Sequence, residues 1–379
     1  MTRTILDISI LQTVPPSNLN RDDTGSPKSA VYGGVRRARV SSQAWKRATR
    51  LAFADVLDAS SLGMRTKRVV ELLGERIVAK DARISVERAQ ELAGLAFGAA
   101  GIKLSAARRS TSENPLPDES GYLLFLSALQ LDNVAQLCLD ANTSDDPKTA
   151  LKAADVKRAL DTSNSVDLSL FGRMVADSSD LNVDAACQVA HAISVHPVEA
   201  EFDYFTAVDD HKAADENEDA GAGMIGTVEF NSSTLYRYAT VDVDRLLKNL
   251  GDADATRRAV EAFVLAFVTS MPSGKQNSFA NRTLPDAVVL SIRDGQPVNL
   301  VGAFEEAVTE NPRLRTASEK LSTYAQRIDT VFGTTPVKSW VARVGESTAA
   351  LDELGTPTSL TAAVAALGDV VSGRLAESA

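Results

Sequence analysis

The sequence predicts a mixed α+β protein whose sheet domain is ferredoxin-like, and three observations support this. Leu6, Ile8 and Ile10 alternate with Asp7 and Ser9, which is typical of a strand with one buried face. The predicted order is then helix, later strands and helix. A block of predicted helices from about 56 to 180 interrupts that order, so the sheet domain should carry a helical insertion.

The remaining elements follow from local patterns. Apolar runs predict further strands at 36–40, 226–230, 235–243 and 287–292. Apolar periodicity predicts helices at 66–73, 86–97, 121–139, 146–160, 184–194, 255–271, 314–332 and 360–375. A run rich in Asp, Glu, Gly and Ala follows residue 210 without any periodicity, so we expect an exposed, mobile loop there.

Length and composition indicate an ordinary soluble globular protein. The 379 residues can form one large domain with an insertion, or two domains. Cys138 and Cys187 lie in apolar surroundings, which favours buried thiols in a reducing compartment over a disulfide. Because the sequence has no secretory signal pattern and no apolar run of membrane-spanning length, we expect a cytoplasmic protein without a membrane partner.

The charge is unevenly distributed along the chain. A net charge of −10 argues against a nucleic-acid partner. However, the stretch 33–50 contains six basic residues and no acidic residue, namely Arg36, Arg37, Arg39, Lys46, Arg47 and Arg50. Such segregation favours a local site for an anionic ligand.

A helix that begins at Ser41 or Ser42 would carry part of this charge. Trp45, Ala48 and Ala52 would lie on one face, and Lys46 and Arg50, four residues apart, on another. Backbone N–H groups, hydroxyls and cations together suit successive phosphates of a single strand. A solvated basic helix face is the alternative interpretation of the same run.

The sequence offers little for catalysis or for base recognition. Its three histidines lack the spacing of a metal site, and Asp22-Asp23 and Asp209-Asp210 are typical of turns. We therefore predict no catalytic residue, metal or cofactor. Because no run of stacking aromatic residues occurs, binding to the sugar–phosphate backbone is favoured over readout of bases.

Several blocks of sequence resemble one known family. They are 19–23 (LNRDD), Gly33-Gly34, 36–43 (RRARVSSQ), 46–50 (KRATR), 172–174 (GRM), 190–193 (AHAI), 203–210 (DYFTAVDD), 226–230 (GTVEF) and 236–239 (YRYA). Together and in this order they resemble CasC, the repeated backbone subunit of the type I-E CRISPR Cascade complex.

The resemblance implies a hand-shaped, non-catalytic subunit. Its RNA-recognition-like palm would comprise 1–55 and 181–379, its helical finger insertion 56–180, and its thumb 196–227. Several copies would bind the backbone of one CRISPR RNA (crRNA) and present its bases to target DNA. The expected partners are crRNA, target DNA paired to the guide, neighbouring copies and other Cascade subunits.

The resemblance also implies individual roles. The RNA-binding residues would be Asn20, Arg21, Arg37, Ser41, Gln43, Lys46, Arg50, Arg173 and Met174, with Met174 beside a displaced base. The thumb would use Phe205, Met224 and Ile225.

Two alternatives remain open from the sequence. One is an RNA-guided ribonuclease that uses Asp22 or Asp23, because related CRISPR subunits can carry a catalytic aspartate in a palm loop. The other is a monomeric RNA chaperone, which would not assemble cooperatively on long strands.

Overall fold

The computed structural model describes residues 3–113, 115–175, 178–207 and 224–378. Its mixed α+β architecture confirms the predicted class. The chain forms two compact units, which we call the sheet unit (1–52, 189–241 and 263–379) and the helical unit (53–188 and 242–262).

The strands and helices are numbered in chain order. The strands are β1 (Thr4–Ser17), β2 (Ser29–Tyr32), β3 (Val35–Val40), β4 (Gly63–Thr66), β5 (Leu104–Ser105), β6 (Glu119–Ser120), β7 (Leu124–Ser127), β8 (Cys187–Val189), β9 (Ala192–Ser194), β10 (Glu201–Ala207), β11 (Met224–Asp242), β12 (Ala287–Asp294), β13 (Lys338–Arg343) and β14 (Thr356–Pro357). The helices are α1 (Ser42–Ala52), α2 (Val69–Lys80), α3 (Val86–Ala99), α4 (Ala128–Asn142), α5 (Pro147–Ala153), α6 (Val156–Asp161), α7 (Val166–Phe171), α8 (Val243–Leu250), α9 (Ala253–Thr269), α10 (Gln276–Phe279), α11 (Arg313–Phe332) and α12 (Leu360–Ser378).

The sheet unit is built on a sheet with the strand order β14-β13-β12-β1-β11-β9-β3-β2, and β10 pairs with β11. β12 is antiparallel to both of its neighbours, so that Leu290 lies opposite Ile8 on one side and Trp340 on the other. An apolar core that includes Tyr236, Val289 and Leu321 packs α11 against this sheet. The sheet therefore supplies a rigid base for the loops and helix that follow β1 and β3.

β1 is buried on both faces rather than on one, which corrects the prediction. Asp7 and Ser9 are buried together with the apolar residues between them. Tyr238 Oη donates to Asp7 Oδ1 at 2.6 Å, and Ser9 Oγ lies 3.1 Å from Tyr236 Oη. Burial raises the pKa of the Asp7 carboxyl in spite of its hydrogen bonds. A polar residue in a strand can thus indicate a buried hydrogen-bond partner as well as a face exposed to solvent.

One buried arginine attaches α1 to the sheet. The guanidinium carbon of Arg237, on β11, lies 3.7 Å from the ring centre of Trp45 and 4.7 Å from that of Phe267. Arg237 Nη1 donates to Gln12 Oε1 at 2.6 Å, and Nη2 donates to the Phe267 carbonyl. Burial lowers the pKa of Arg237 to about 9, so the side chain stays charged at neutral pH. Trp45 and Thr49 form the buried face of α1. Ala48 and Ala52, which were expected to share the buried face with Trp45, are only half-buried.

The helical unit has a separate apolar core. Residues of α2, α3 and α4 form it, including Leu73, Leu92, Val134 and Cys138. Both cysteines are buried free thiols, as predicted. None of the described helices is long and apolar enough to cross a membrane.

Three other predictions of local structure are wrong. The segment 184–194 contains β8 and β9 instead of a helix, because Ala192 and Ile193 pair with β3. The helix predicted at 121–139 begins only at Ala128. Ser127, the last residue of β7, forms a capping box with Gln130 and so marks the start of the helix. The strands predicted at 226–230 and 235–243 belong to the single strand β11. The expected acidic loop, 208–223, lies outside the described residues.

Trp45→Ala should destabilise the sheet unit by about 3–5 kcal/mol, because it removes a fully buried ring and the nearest aromatic partner of Arg237. Urea unfolding of the full chain, followed by circular dichroism, measures this. Leu51→Ala is the matched control, since Leu51 is exposed on the same helix and should change stability by less than about 0.5 kcal/mol. Equal losses in the two variants would contradict the anchoring role.

The Cys138 thiol should not react with a thiol reagent in the folded chain at pH 8. Burial raises its pKa to about 12, so the reactive thiolate is scarce below that pH, and the side chain is inaccessible as well. The thiol should titrate with 5,5′-dithiobis(2-nitrobenzoate) only after urea is added. Rapid labelling of Cys138 in native buffer, located by mass spectrometry, would show that this core opens locally.

Candidate nucleic-acid interface

The hairpin of β2 and β3 is held close to the rest of the sheet unit by glycine. Gly33 and Gly34 form its turn with φ values of +60° and +77°, a conformation that favours glycine. A Cβ on Gly33 would lie 1.6 Å from the carbonyl oxygen of Glu305, so no other residue fits. The glycine pair thereby fixes where β3 enters α1.

Arg37 is a structural part of this hairpin. Its side chain is completely buried, and its Nη1 donates to the Ser194 carbonyl at 2.9 Å. Its Nη2 donates to the carbonyls of Phe304 and Glu305 at 2.9 and 3.2 Å. Burial lowers the pKa of Arg37. The geometry does not support the expected phosphate contact, because the guanidinium already binds three backbone carbonyls.

Ser41 and Asn20 fix the start of α1. Ser41 Oγ accepts a hydrogen bond from Ala44 N at 3.3 Å, as an N-cap residue does. The backbone N–H of Ser41 donates to Asn20 Oδ1 at 2.9 Å. Ser41 is buried and Asn20 is half-buried, so both help to place the helix start that the sequence predicts as a phosphate site.

The candidate contacts on α1 itself reach the surface. Gln43 is exposed, and Lys46 and Arg50 are half-buried one helical turn apart. Lys46 forms no ion pair with any described residue. The helix therefore presents a polar side chain and two cations from one rigidly anchored element.

The loop between β1 and β2 is ordered by Asp22. Its Oδ1 accepts hydrogen bonds from Thr24 Oγ1 at 2.7 Å, Thr24 N at 3.0 Å and Ser26 N at 3.0 Å. These bonds, that from the Thr24 side chain foremost, lower the pKa of Asp22. Arg21 and Asp23 are exposed beside it and, with Gly274, line a shallow cleft. The described residues contain no group of three or more His, Cys, Asp or Glu side chains placed to hold a metal ion.

The helical unit holds Arg173 and Met174 in opposite environments. Arg173 is buried and donates to the carbonyls of Leu181 at 2.6 Å and Leu160 at 3.0 Å, so its guanidinium already serves the fold. Burial lowers the pKa of Arg173 to about 10. Met174 is 84% exposed, an unusual exposure for an apolar side chain.

The remaining candidates lie on the hairpin of β10 and β11. Phe205 faces Gly226, where an added Cβ would lie 2.5 Å from the Phe205 ring. Ile225 is exposed, and Met224 is the first residue of β11. Phe202 and Tyr204 are also 67% and 64% exposed, and sequence analysis missed them. Phe202 and Tyr204 alternate with Glu201 and Asp203 in the sequence, and this period-two spacing could have revealed a strand with an aromatic face.

Several cations of the candidate interface differ from those that form ion pairs on the helical unit. On the helical unit, Arg83 pairs with Asp81 at 2.8 Å, and similar pairs join Arg88 to Glu91 and Arg245 to Asp184. Among the described residues, by contrast, no acidic side chain forms an ion pair with Arg21, Arg36, Arg39, Lys46 or Arg47. Five cations without an ion-pair partner among the described residues thus lie within 21–50 of a chain whose net charge is −10.

Comparison with known proteins gives consistent matches. The model of the CT1975-like protein family matches residues 6–366. A chain of a solved structure described as "CRISPR RNA-guided surveillance complex, pre-nicking" is 36% identical, with a TM-score of 0.82; the match covers 96% of this chain and 99% of that chain. Another, described as "CRISPR RNA-guided surveillance complex", is 30% identical, with a TM-score of 0.74, and the match covers 97% and 99%. No curated protein gives a significant match.

The family match extends over nearly the whole chain and includes every block of sequence that resembles CasC. The chain therefore belongs to the CT1975-like protein family, the family of the CasC subunits.

Proposed function

We propose that this protein is the repeated backbone subunit of a CRISPR RNA-guided surveillance complex and binds the sugar–phosphate backbone of crRNA. Two similar chains, matched over almost their full length, come from structures described as such complexes. The observation that carries the proposal is the cluster of basic residues at 33–50, a stretch without acidic residues, in which Arg36, Arg39, Lys46 and Arg47 form no ion pair with a described acidic side chain.

Gln43, Lys46 and Arg50 would contact successive phosphates, and Arg21 would contribute from the adjacent loop. Ser41 and Asn20 would present the N-terminus of α1, where backbone N–H groups favour an anion. We assign Arg37 and Arg173 to the support of this interface, because both guanidinium groups are buried on backbone carbonyls. A backbone grip of this kind accepts any guide sequence and leaves the base edges free for pairing with target DNA.

We assign the sheet unit to the RNA-recognition-like, ferredoxin-like palm and the helical unit to the finger. The hairpin of β10 and β11 would form the base of the thumb, with Phe205, Met224 and Ile225 directed at RNA or a neighbouring copy. The exposed side chains of Phe205 and Ile225 suit this role, because exposed apolar surface of this kind becomes buried on assembly. Met174, on the finger, would lie beside a displaced base. Other subunits of the complex would cap the array of copies.

The subunit would be non-catalytic. Asp22 Oδ1 accepts three hydrogen bonds from its own loop, which is the pattern of an aspartate that stabilises a turn. The lowered pKa of Asp22 is the opposite of what a general base at neutral pH requires. These facts favour a structural aspartate over the ribonuclease alternative.

The double variant Lys46→Ala, Arg50→Ala should bind every RNA more weakly and with a shallower salt dependence. Each phosphate of a single strand that is no longer neutralised changes the slope of log affinity against log salt by about 0.7, so two such phosphates give roughly 1.4. Salt titrations by fluorescence anisotropy on two RNAs of unrelated sequence measure this. Arg83→Ala is the control, since Arg83 is exposed but paired with Asp81. Loss on only one RNA, with an unchanged slope, would indicate base readout instead.

Asp22→Asn and Asp23→Asn should leave no nuclease activity to lose. The wild-type complex, loaded with its guide and incubated with complementary RNA and Mg²⁺, should release no fragments, because neither aspartate belongs to a group of three or more metal-binding side chains among the described residues. Denaturing gels over several hours provide the measurement. Regularly spaced cuts by the wild type that vanish in either variant, with assembly intact by gel filtration, would establish the ribonuclease.

A further inference from the structure

A second group of polar side chains lies next to the start of α1. Arg39, on β3, places its Nη1 3.2 Å from His191 Nδ1, and its Nε donates to the Ser29 carbonyl at 3.2 Å. The backbone N–H of Arg39 donates to the Lys28 carbonyl at 2.9 Å, which holds Lys28 beside it. His191 is exposed, and Arg39 and Lys28 are half-buried. We call these three residues the histidine cluster.

The contact with Arg39 determines the hydrogen-bonding state of His191. A guanidinium can only donate, so Nδ1 must accept and the ring proton resides on Nε2. Burial, followed by the charges of Arg39 and Lys28, lowers the pKa of His191, which keeps the ring neutral at physiological pH. His191 therefore presents a neutral N–H donor beside Arg39 and within the electrostatic influence of Lys28.

The histidine cluster is continuous with the interface on α1. The Lys28 N–H donates to the Asn20 carbonyl at 2.9 Å, and Asn20 Oδ1 accepts from the Ser41 N–H. His191 immediately precedes β9, whose residue Ala192 lies opposite Val40 at the end of β3. No described acidic side chain forms an ion pair with Arg39 or Lys28. Two cations and an N–H donor thus lie on neighbouring segments, and neither cation forms an ion pair with a described acidic side chain.

We propose that the histidine cluster is a further phosphate subsite for the same single strand, in which Arg39 and Lys28 supply charge and His191 Nε2–H donates to a phosphate oxygen. This inference rests on the proposed function and extends the binding site to a segment of the RNA beyond the one that contacts α1. Arg39 is suited to the role because Ser29 and His191 fix its planar group, and such a group can offer its remaining N–H donors to one phosphate.

The two kinds of donor can be separated by salt titration of the full chain on a single-stranded RNA. Arg39→Ala removes a charge, so the slope of log affinity against log salt should become shallower by about 0.7. His191→Ala removes a neutral donor, so affinity should fall roughly three- to tenfold with an unchanged slope. His191→Gln, which keeps an N–H donor, should recover part of that affinity. Arg83→Ala serves again as the paired control, and circular dichroism verifies folding.

The outcomes distinguish this inference from the proposed function. Wild-type affinity and slope in both Arg39→Ala and His191→Ala, with the loss described above in the Lys46, Arg50 double variant, would overturn the histidine cluster alone. Undiminished RNA binding in all of these variants would overturn the proposed binding of the sugar–phosphate backbone itself. If His191→Gln binds no better than His191→Ala, although both fold, the donor role of His191 is wrong.

Discussion

The arrangement of the sheet unit depends on the burial of Arg237 between Trp45 and Phe267. Arg237 lies on β11, Gln12 on β1 and Trp45 on α1, so one guanidinium joins three elements that are distant in sequence. Burying a charge without partners is strongly unfavourable, and here two aromatic faces and two hydrogen-bond acceptors offset it. A lysine lacks the planar fork needed to stack and donate at once. α1 is thereby fixed against the sheet at the position from which Lys46 and Arg50 project.

Buried and exposed arginines have different tasks in this chain. Arg37, Arg173 and Arg237 donate to oxygen atoms of the protein and define where the backbone runs. Several arginines on the surface of the helical unit are neutralised by neighbouring carboxylates, as Arg83 is by Asp81. A third group lies around β3 and α1, where Arg36 and Arg47 are exposed and form no ion pair with any described acidic side chain. The clustering of such cations in a stretch, 33–50, that contains no acidic residue identifies the candidate interface.

The sequence predicted the parts of the fold that depend on local patterns. Long periodic helices such as α11, the strand β12 and the start of α1 are confirmed, because capping and apolar spacing act over a few residues. β9 was mistaken for helix, because its pairing with β3 comes from residues more than 150 positions away. Arg37 was likewise expected at the RNA, since the run of basic residues does not reveal which side chain turns inward. Distinguishing it from Arg36 requires the register of β3 and the carbonyls of Ser194 and Phe304.

A strongly acidic chain with a small unpaired basic surface has a physical consequence for the proposed assembly. The net charge of −10 repels nucleic acid at long range, so a single copy gains only the few short-range contacts of one site. Several copies on one strand place their sites at high effective concentration, and weak individual contacts then combine into a stable complex. Occupancy becomes selective for a strand long enough for many copies rather than for any particular sequence. In the proposed assembly, the acidic remainder of the surface would act against non-specific binding of isolated subunits, while the anchored helix α1 would supply the affinity that assembly requires.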